Sequence, residues 1–90
     1  MAEVTKSGDR FIVSVDGKEA GTIEFNWLGD DKIDIIHTEV DSKYSGQGLG
    51  KQLVEAVAQF ADKNSHKLQA SCPYAKKTLQ RMPEYEHLLQ

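Results

Sequence analysis

Strand-like alternation begins at residue 10. Phe11, Val13 and Val15 share one parity while Arg10, Ile12 and Ser14 take the other. A period of two sends successive side chains to opposite faces of a strand. Asp16-Gly17 follows, a pair suited to the two positive-φ positions of a type I′ hairpin turn. Alternation resumes over residues 20–27, with Gly21, Ile23, Phe25 and Trp27 on one side and Thr22, Glu24 and Asn26 on the other. Gly29-Asp30-Asp31 marks a second turn. With Lys32–Val40 these segments predict a three-strand antiparallel meander.

The third of those strands changes phase. Ile33 and Ile35 have one parity, whereas Ile36, Thr38 and Val40 have the other. A bulge near Ile35-Ile36 would produce this, because one extra residue re-aims the side chains after it. A strand buried on both faces would also produce it, and periodicity alone leaves both open.

Beyond residue 40 the period changes. A glycine-rich stretch, residues 41–50, leads into a helical pattern in which Leu49, Leu53, Val57 and Phe60, with Ala56 and Ala61, form one apolar stripe. Lys51, Glu55, Gln59, Asp62 and Lys63 lie off that stripe, and the helix should end near Asn64. Residues 67–71 form a short strand, which after a helix can return parallel to an earlier one. Pro73 suits a first helical turn and opens a second helix over 74–81. Pro83 stops it, and 84–89 add a final turn or two. The expected fold is α+β: a mostly antiparallel sheet of about four strands, a main helix after the glycine loop, and short C-terminal helices. With no repeat, linker or low-complexity tract, residues 1–90 read as a single domain.

Composition narrows the choices. The chain has 90 residues, room for one modest core and not for a two-domain enzyme with its own cleft. A net charge of −3, from 11 basic and 14 acidic residues, argues against an electrostatic nucleic-acid binder. The start MAEVTKSGDR has no apolar segment of the signal-peptide kind. No run approaches the ~20 apolar residues of a membrane span. A lone cysteine, Cys72, excludes an internal disulfide framework and suits a reducing cytoplasm. A monomer or weak dimer is the expected state. His66 and His87 lack partners at ligand spacing, so no metal site is expected.

Strand, glycine loop and amphipathic helix make the layout of an anion site. The first amides of a helix have no intrahelical partner, and glycines let the backbone approach a phosphate. Two phosphate fingerprints fail. A Walker A loop would need glycine at Ser45 and Ser or Thr at Gln52. A dinucleotide fingerprint would need glycine where Lys51 stands. The remaining spacing is G-x-G-x-G over Gly46, Gly48 and Gly50, preceded by Val40-Asp41-Ser42-Lys43-Tyr44. A tight turn capping a helix is the plain structural alternative.

This stretch resembles motif A of the GNAT acetyltransferase superfamily, V-x-P-x-[YF]-[RQ]-G-x-G-[IL]-G. His37-Thr38-Glu39-Val40 before the loop and Cys72-Pro73-Tyr74-Ala75 after the next strand are similar to a compact single-domain group of that superfamily. The likeness spans residues 9–89. It implies acetyl-CoA or coenzyme A as cofactor, with its pyrophosphate on Ser45, Gly46, Gln47, Gly48, Leu49, Gly50 and Lys51. It also implies that the backbone of Thr38, Glu39 and Val40 pairs with the pantetheine arm as an added strand would. Ser42 replaces the usual proline and Ser45 the usual Arg or Gln. The missing long donor at Ser45 lowers the expected pyrophosphate affinity unless Lys51 supplies it.

Acetyl transfer to an amine requires a base, donors for a tetrahedral oxyanion and an acid for the departing thiolate. Cys72 is a candidate nucleophile, activated by the start of the second helix, or simply a small buried side chain. His37, which takes the parity of Ile35 and Glu39 if the bulge precedes it, is a candidate base, or a half-exposed strand residue. Glu39 is the other base, or a solvent-facing carboxylate. Tyr74 is the candidate acid, or packing for the second helix. Tyr44 packs the loop, and Phe11, Phe25 and Trp27 belong to the core or sheet face. Lys76, with Lys77 and Arg81, would meet the adenosine phosphate or form a solvated face. The expected activity is N-acetyl transfer from acetyl-CoA to an amine whose identity stays open, a protein among the choices. A cofactor-binding or interaction module without turnover, and a Cys72-based acyl carrier or redox sensor, are the alternatives.

Overall fold

The computed structural model describes residues 2–89. Five strands form one sheet in the order β1-β2-β3-β4-β5. They are β1 (Ala2–Ser7), β2 (Arg10–Val15), β3 (Lys18–Trp27), β4 (Lys32–Val40) and β5 (Lys67–Ala70). The first four are antiparallel neighbours, and β5 returns parallel to β4 after α1 (Leu49–Lys63). α2 (Pro73–Gln80) and a last 3₁₀ segment, Pro83–Leu88, close the chain.

The expected count of four strands is corrected to five. β1 offers only Ala2 and Val4 as half-buried apolar positions, and its other residues are exposed. An outer strand with so short an apolar stripe gives almost no period-two signal. The hairpin between β2 and β3 takes the expected form, with φ of 51° at Asp16 and 82° at Gly17.

The bulge in β4 is present. Phe25 pairs with Ile35 and Glu24 with His37, leaving Ile36 as the extra residue. Cross-strand partners share a face. Ile33, Ile35, Thr38 and Val40 therefore point to one side of the sheet, because they pair with Trp27, Phe25, Ile23 and Gly21. A second irregularity, at Ala20 in β3, gave no sequence signal; Ala20 and Gly21 are both buried.

One core lies between that side of the sheet and the helices. Phe11, Val13, Ile23, Phe25, Ile33, Ile35 and Leu68 face α1, whose buried residues are Leu49, Leu53, Val54, Val57, Ala58 and Ala61. Val54 and Ala58 widen the expected stripe, while Ala56 and Phe60 are only half-buried. Such a broad stripe suits a helix laid across a whole sheet, and α1 touches all five strands. Trp27 is 40% exposed and packs edge-on against Phe25, Phe60 and His66. None of the described helices is long and apolar enough to cross a membrane.

Candidate active site

The site grows from one topological event. β4 and β5 pair from Lys32↔Lys67 as far as Ile35↔Ala70. There β4 bulges at Ile36, and the chain after β5 turns away into α2. Beyond Ile35, no strand among the described residues pairs with the outer edge of β4. A fork opens between residues 36–40 and the start of α2. A free strand edge presents amides and carbonyls to whatever extended group enters.

The glycine loop closes the top of the fork. Asp41 accepts the Lys43 N–H at 3.0 Å and shapes a single 3₁₀ turn, Ser42–Tyr44. Gly48 then caps α1 with φ 73° and ψ 19°, a left-handed conformation costly for any residue with a Cβ. At this bend the first helical turn, whose amides have no intrahelical partner, borders a groove. A cavity of about 280 Å³ lies there, lined by Thr38, Val40, Tyr44, Ser45, Gly46, Gly48, Leu49, Gly50 and Tyr74.

The opposite wall is the beginning of α2. Cys72 is its N-cap and Pro73 its first residue. Cys72 is 8% exposed, and its Sγ lies 3.7 Å from Thr38 Oγ1 across the mouth of the fork. Burial pushes the thiol up. The backbone of Ala75, the Thr38 hydroxyl, and the backbone of Tyr74 and Thr38 stabilise the thiolate more strongly, so the thiol lies below its ordinary range. The Cys72 side chain makes no capping hydrogen bond to the helix. Tyr74 is 47% exposed and leans over the start of α1, where a Cβ on Gly50 would come within 2.5 Å of its hydroxyl oxygen.

The expected site residues divide. Thr38, Val40, Ser45, Gly46, Gly48, Leu49, Gly50 and Tyr74 converge on the groove, with Cys72 beside Thr38. Tyr44 packs the loop and also lines the groove. His37 and Glu39 pair with Glu24 and Thr22, so their side chains stand on the other face of the sheet, exposed. His37 therefore does not share a face with Ile35; the extra residue Ile36 reverses its side. Gln47 is exposed and lies off the groove lining. Lys51 and Arg81 border a neighbouring depression with Tyr74, Thr78 and Met82. Lys76 lies elsewhere, beside Leu68, Gln69 and Ala70. Sequence reasoning missed Asp34 and Ser71, which join β4 to the end of β5.

A sheet forked at a bulged strand, with a glycine loop and helix start over the fork, defines the class as a GNAT-type transferase fold. A family model described as GCN5-related N-acetyl-transferase matches residues 10–88, and the chain belongs to that family. It is 30% identical over 83 residues to Protein NATD1 of Gallus gallus, covering 88% of this chain and 76% of that protein. The solution structure of a GCN5-like protein from Staphylococcus aureus superimposes with a TM-score of 0.78 at 29% identity, covering 98% of this chain and 87% of that one. The PaiA N-acetyltransferase of Thermoplasma acidophilum, solved in complex with coenzyme A, shares the fold with a TM-score of 0.57 at 18% identity, covering 62% of this chain and 35% of that one.

Proposed function

We propose that the protein transfers an acetyl group from acetyl-CoA to an amine. The observation that carries this reading is the juxtaposition of a free β4 edge, a glycine-built helix start and the Cys72 thiol around one groove. The residues present fit a pantetheine arm and its pyrophosphate. Outward-facing backbone groups of residues 38–40 can pair with the amides of the arm. The first amides of α1, with the left-handed Gly48 below them, offer donors to an anion. Lys51 and Arg81 border the adjoining depression and would meet negative charge leaving the groove. At about 280 Å³ the groove is offered to the arm of the cofactor, with the nucleotide further out.

Bound acetyl-CoA supplies an activated thioester carbonyl; the chain supplies orientation and proton handling. Tyr74 lines the groove and would protonate a departing thiolate. His37 and Glu39 lie on the far face of β4, and an acceptor amine approaching the fork from that face would find them available to take its proton. His37 and Glu39 are exposed on that face, where an acceptor as bulky as a protein lysine or N-terminus could reach them. A reducing cytoplasm suits the free thiol.

A second reading is favoured by the Cys72 geometry. The Cys72 thiolate could attack the thioester carbonyl, forming acetyl-Cys72 as the carbon–sulfur bond to the coenzyme breaks and its thiolate takes a proton from Tyr74 or solvent; the amine would then attack acetyl-Cys72 and release the thiol. Incubation with acetyl-CoA and lysine-containing peptides, followed by mass spectrometry, tests both routes. Acetylated peptide from wild type and from Cys72→Ala alike supports direct transfer. Acetyl-Cys72 in wild type, with transfer lost in the variant, supports the covalent route. Detecting neither acetylated peptide nor released coenzyme would contradict the proposal.

A further inference from the structure

Asp34 lines no part of the groove, yet it is the buried charged residue of the sheet, 8% exposed. It stands on the face opposite Ile33 and Ile35, in register with Asn26 and Gln69. Its carboxylate accepts the Ser71 N–H at 2.9 Å and the Ser71 hydroxyl at 2.7 Å. Desolvating a carboxylate is costly unless its oxygens are paired, and Ser71 offers a matched donor to each oxygen. The clamp sits at an informative level. Ser71 and Cys72 also donate their backbone amides to the Ile35 carbonyl, at 2.9 and 3.1 Å. Immediately beyond, β4 bulges at Ile36 and the other prong becomes α2, whose first helical bond runs from Lys76 N–H to the Cys72 carbonyl at 2.9 Å.

We infer that Asp34 is a positioning residue: through Ser71 it fixes the crotch of the fork, and so holds Cys72 and Tyr74 at the groove. Without the carboxylate, the Ile35 carbonyl alone ties this turn to β4. The Sγ to Thr38 contact, 3.7 Å across the opening, is too weak to hold it. Asp34 touches neither the groove nor Cys72, and acts only through the backbone that carries them. Its bearing on acetyl transfer rests on the function proposed above; the positioning itself does not.

The test combines amide hydrogen exchange with kinetics in Asp34→Ala, Asp34→Asn and Ser71→Ala. Asn keeps a carbonyl for the Ser71 amide and can donate to the hydroxyl, so it should restore most of what Ala loses. In Asp34→Ala, exchange at Ser71, Cys72 and Lys76 should quicken about tenfold or more, while Val54 and Val57 in α1 hold their rates. Ser71→Ala should show the same local pattern at smaller size, which keeps the test decisive should Asp34→Ala fail to fold. Acetyl-CoA affinity should stay within about threefold while turnover falls about tenfold in Asp34→Ala and recovers in Asp34→Asn. Acceleration shared by α1, an Asn variant no better than Ala, or local loosening with unchanged turnover would each overturn the assignment. If the wild type neither binds acetyl-CoA nor turns over, the transferase reading fails, and the exchange pattern still decides the clamp.

Discussion

The two halves of β4 are built for different work. Residues 33–35 are paired on both edges, with β3 and with β5, and Ile33 and Ile35 are fully buried. Residues 37–40 keep β3 but lose β5; the extra residue Ile36, with His37 and Glu39, is exposed, and Thr38 and Val40 are half-buried. The change falls at one inserted residue. A bulge bends a strand and disturbs its ladder, so the same strand is scaffold up to Ile35 and a free edge after it, the edge to which the proposed function assigns binding. The site is thus a place where a stable sheet stops pairing with itself.

The largest effect should come from breaking the scaffold half. Ile35→Ala should destabilise the protein by about 2–5 kcal/mol in urea unfolding, through lost burial and a cavity. Val40→Ala, in the binding half, should cost markedly less because the side chain is only half-buried. Equal costs would erase the distinction between the halves.

Removing the bulge comes next. Deleting Ile36 leaves Thr38 and Val40 on the same face as Ile35, since Ile36 is the unpaired residue. The variant should keep its fold by circular dichroism but lose acetyl-CoA binding by at least about tenfold, because the straightened strand no longer diverges from β5. Undiminished binding would show that the bend is not what makes the fork.

Gly48→Ala should cost about 1–2 kcal/mol, because a Cβ is disfavoured at φ 73°. That cost should appear in both unfolding and cofactor affinity. A neutral substitution would mean that the loop conformation is incidental.

The smallest effect concerns the Cys72 thiol. Iodoacetamide alkylation followed against pH should titrate below the ordinary thiol range, and Thr38→Val should move the midpoint up, since the Thr38 hydroxyl favours the thiolate. A folded-state value below the unfolded one means that the thiolate contributes stability above the unfolded value and loses it as pH falls through the folded one. A midpoint at or above the ordinary range would contradict the site's electrostatics.

Legibility in the sequence followed locality. The glycine loop could be read because its pattern lies in consecutive residues, 46–50, and a helix follows at once. The bulge was visible as a phase change, but its consequence for His37 was not. Which side His37 takes depends on which residue is extra, and only the pairing of Glu24 with His37 resolves that. Lys76 could be expected near the cofactor from chain proximity to Cys72, yet α2 turns it toward β5. Asp34 passed as an ordinary polar residue in a strand; its partner Ser71 lies 37 residues away, beyond any local pattern. β1 was missed because an edge strand with two apolar contacts needs little periodicity to form.

The most direct measurement is a titration of acetyl-CoA followed by backbone amide NMR. The account predicts shifts centred on Gln47, Gly48, Leu49, Gly50 and Lys51, on Thr38, Glu39 and Val40, and on Cys72, with residues 32–35 still. No shifts at millimolar cofactor, or shifts centred on β1 or the α1 C-terminus instead, would contradict it.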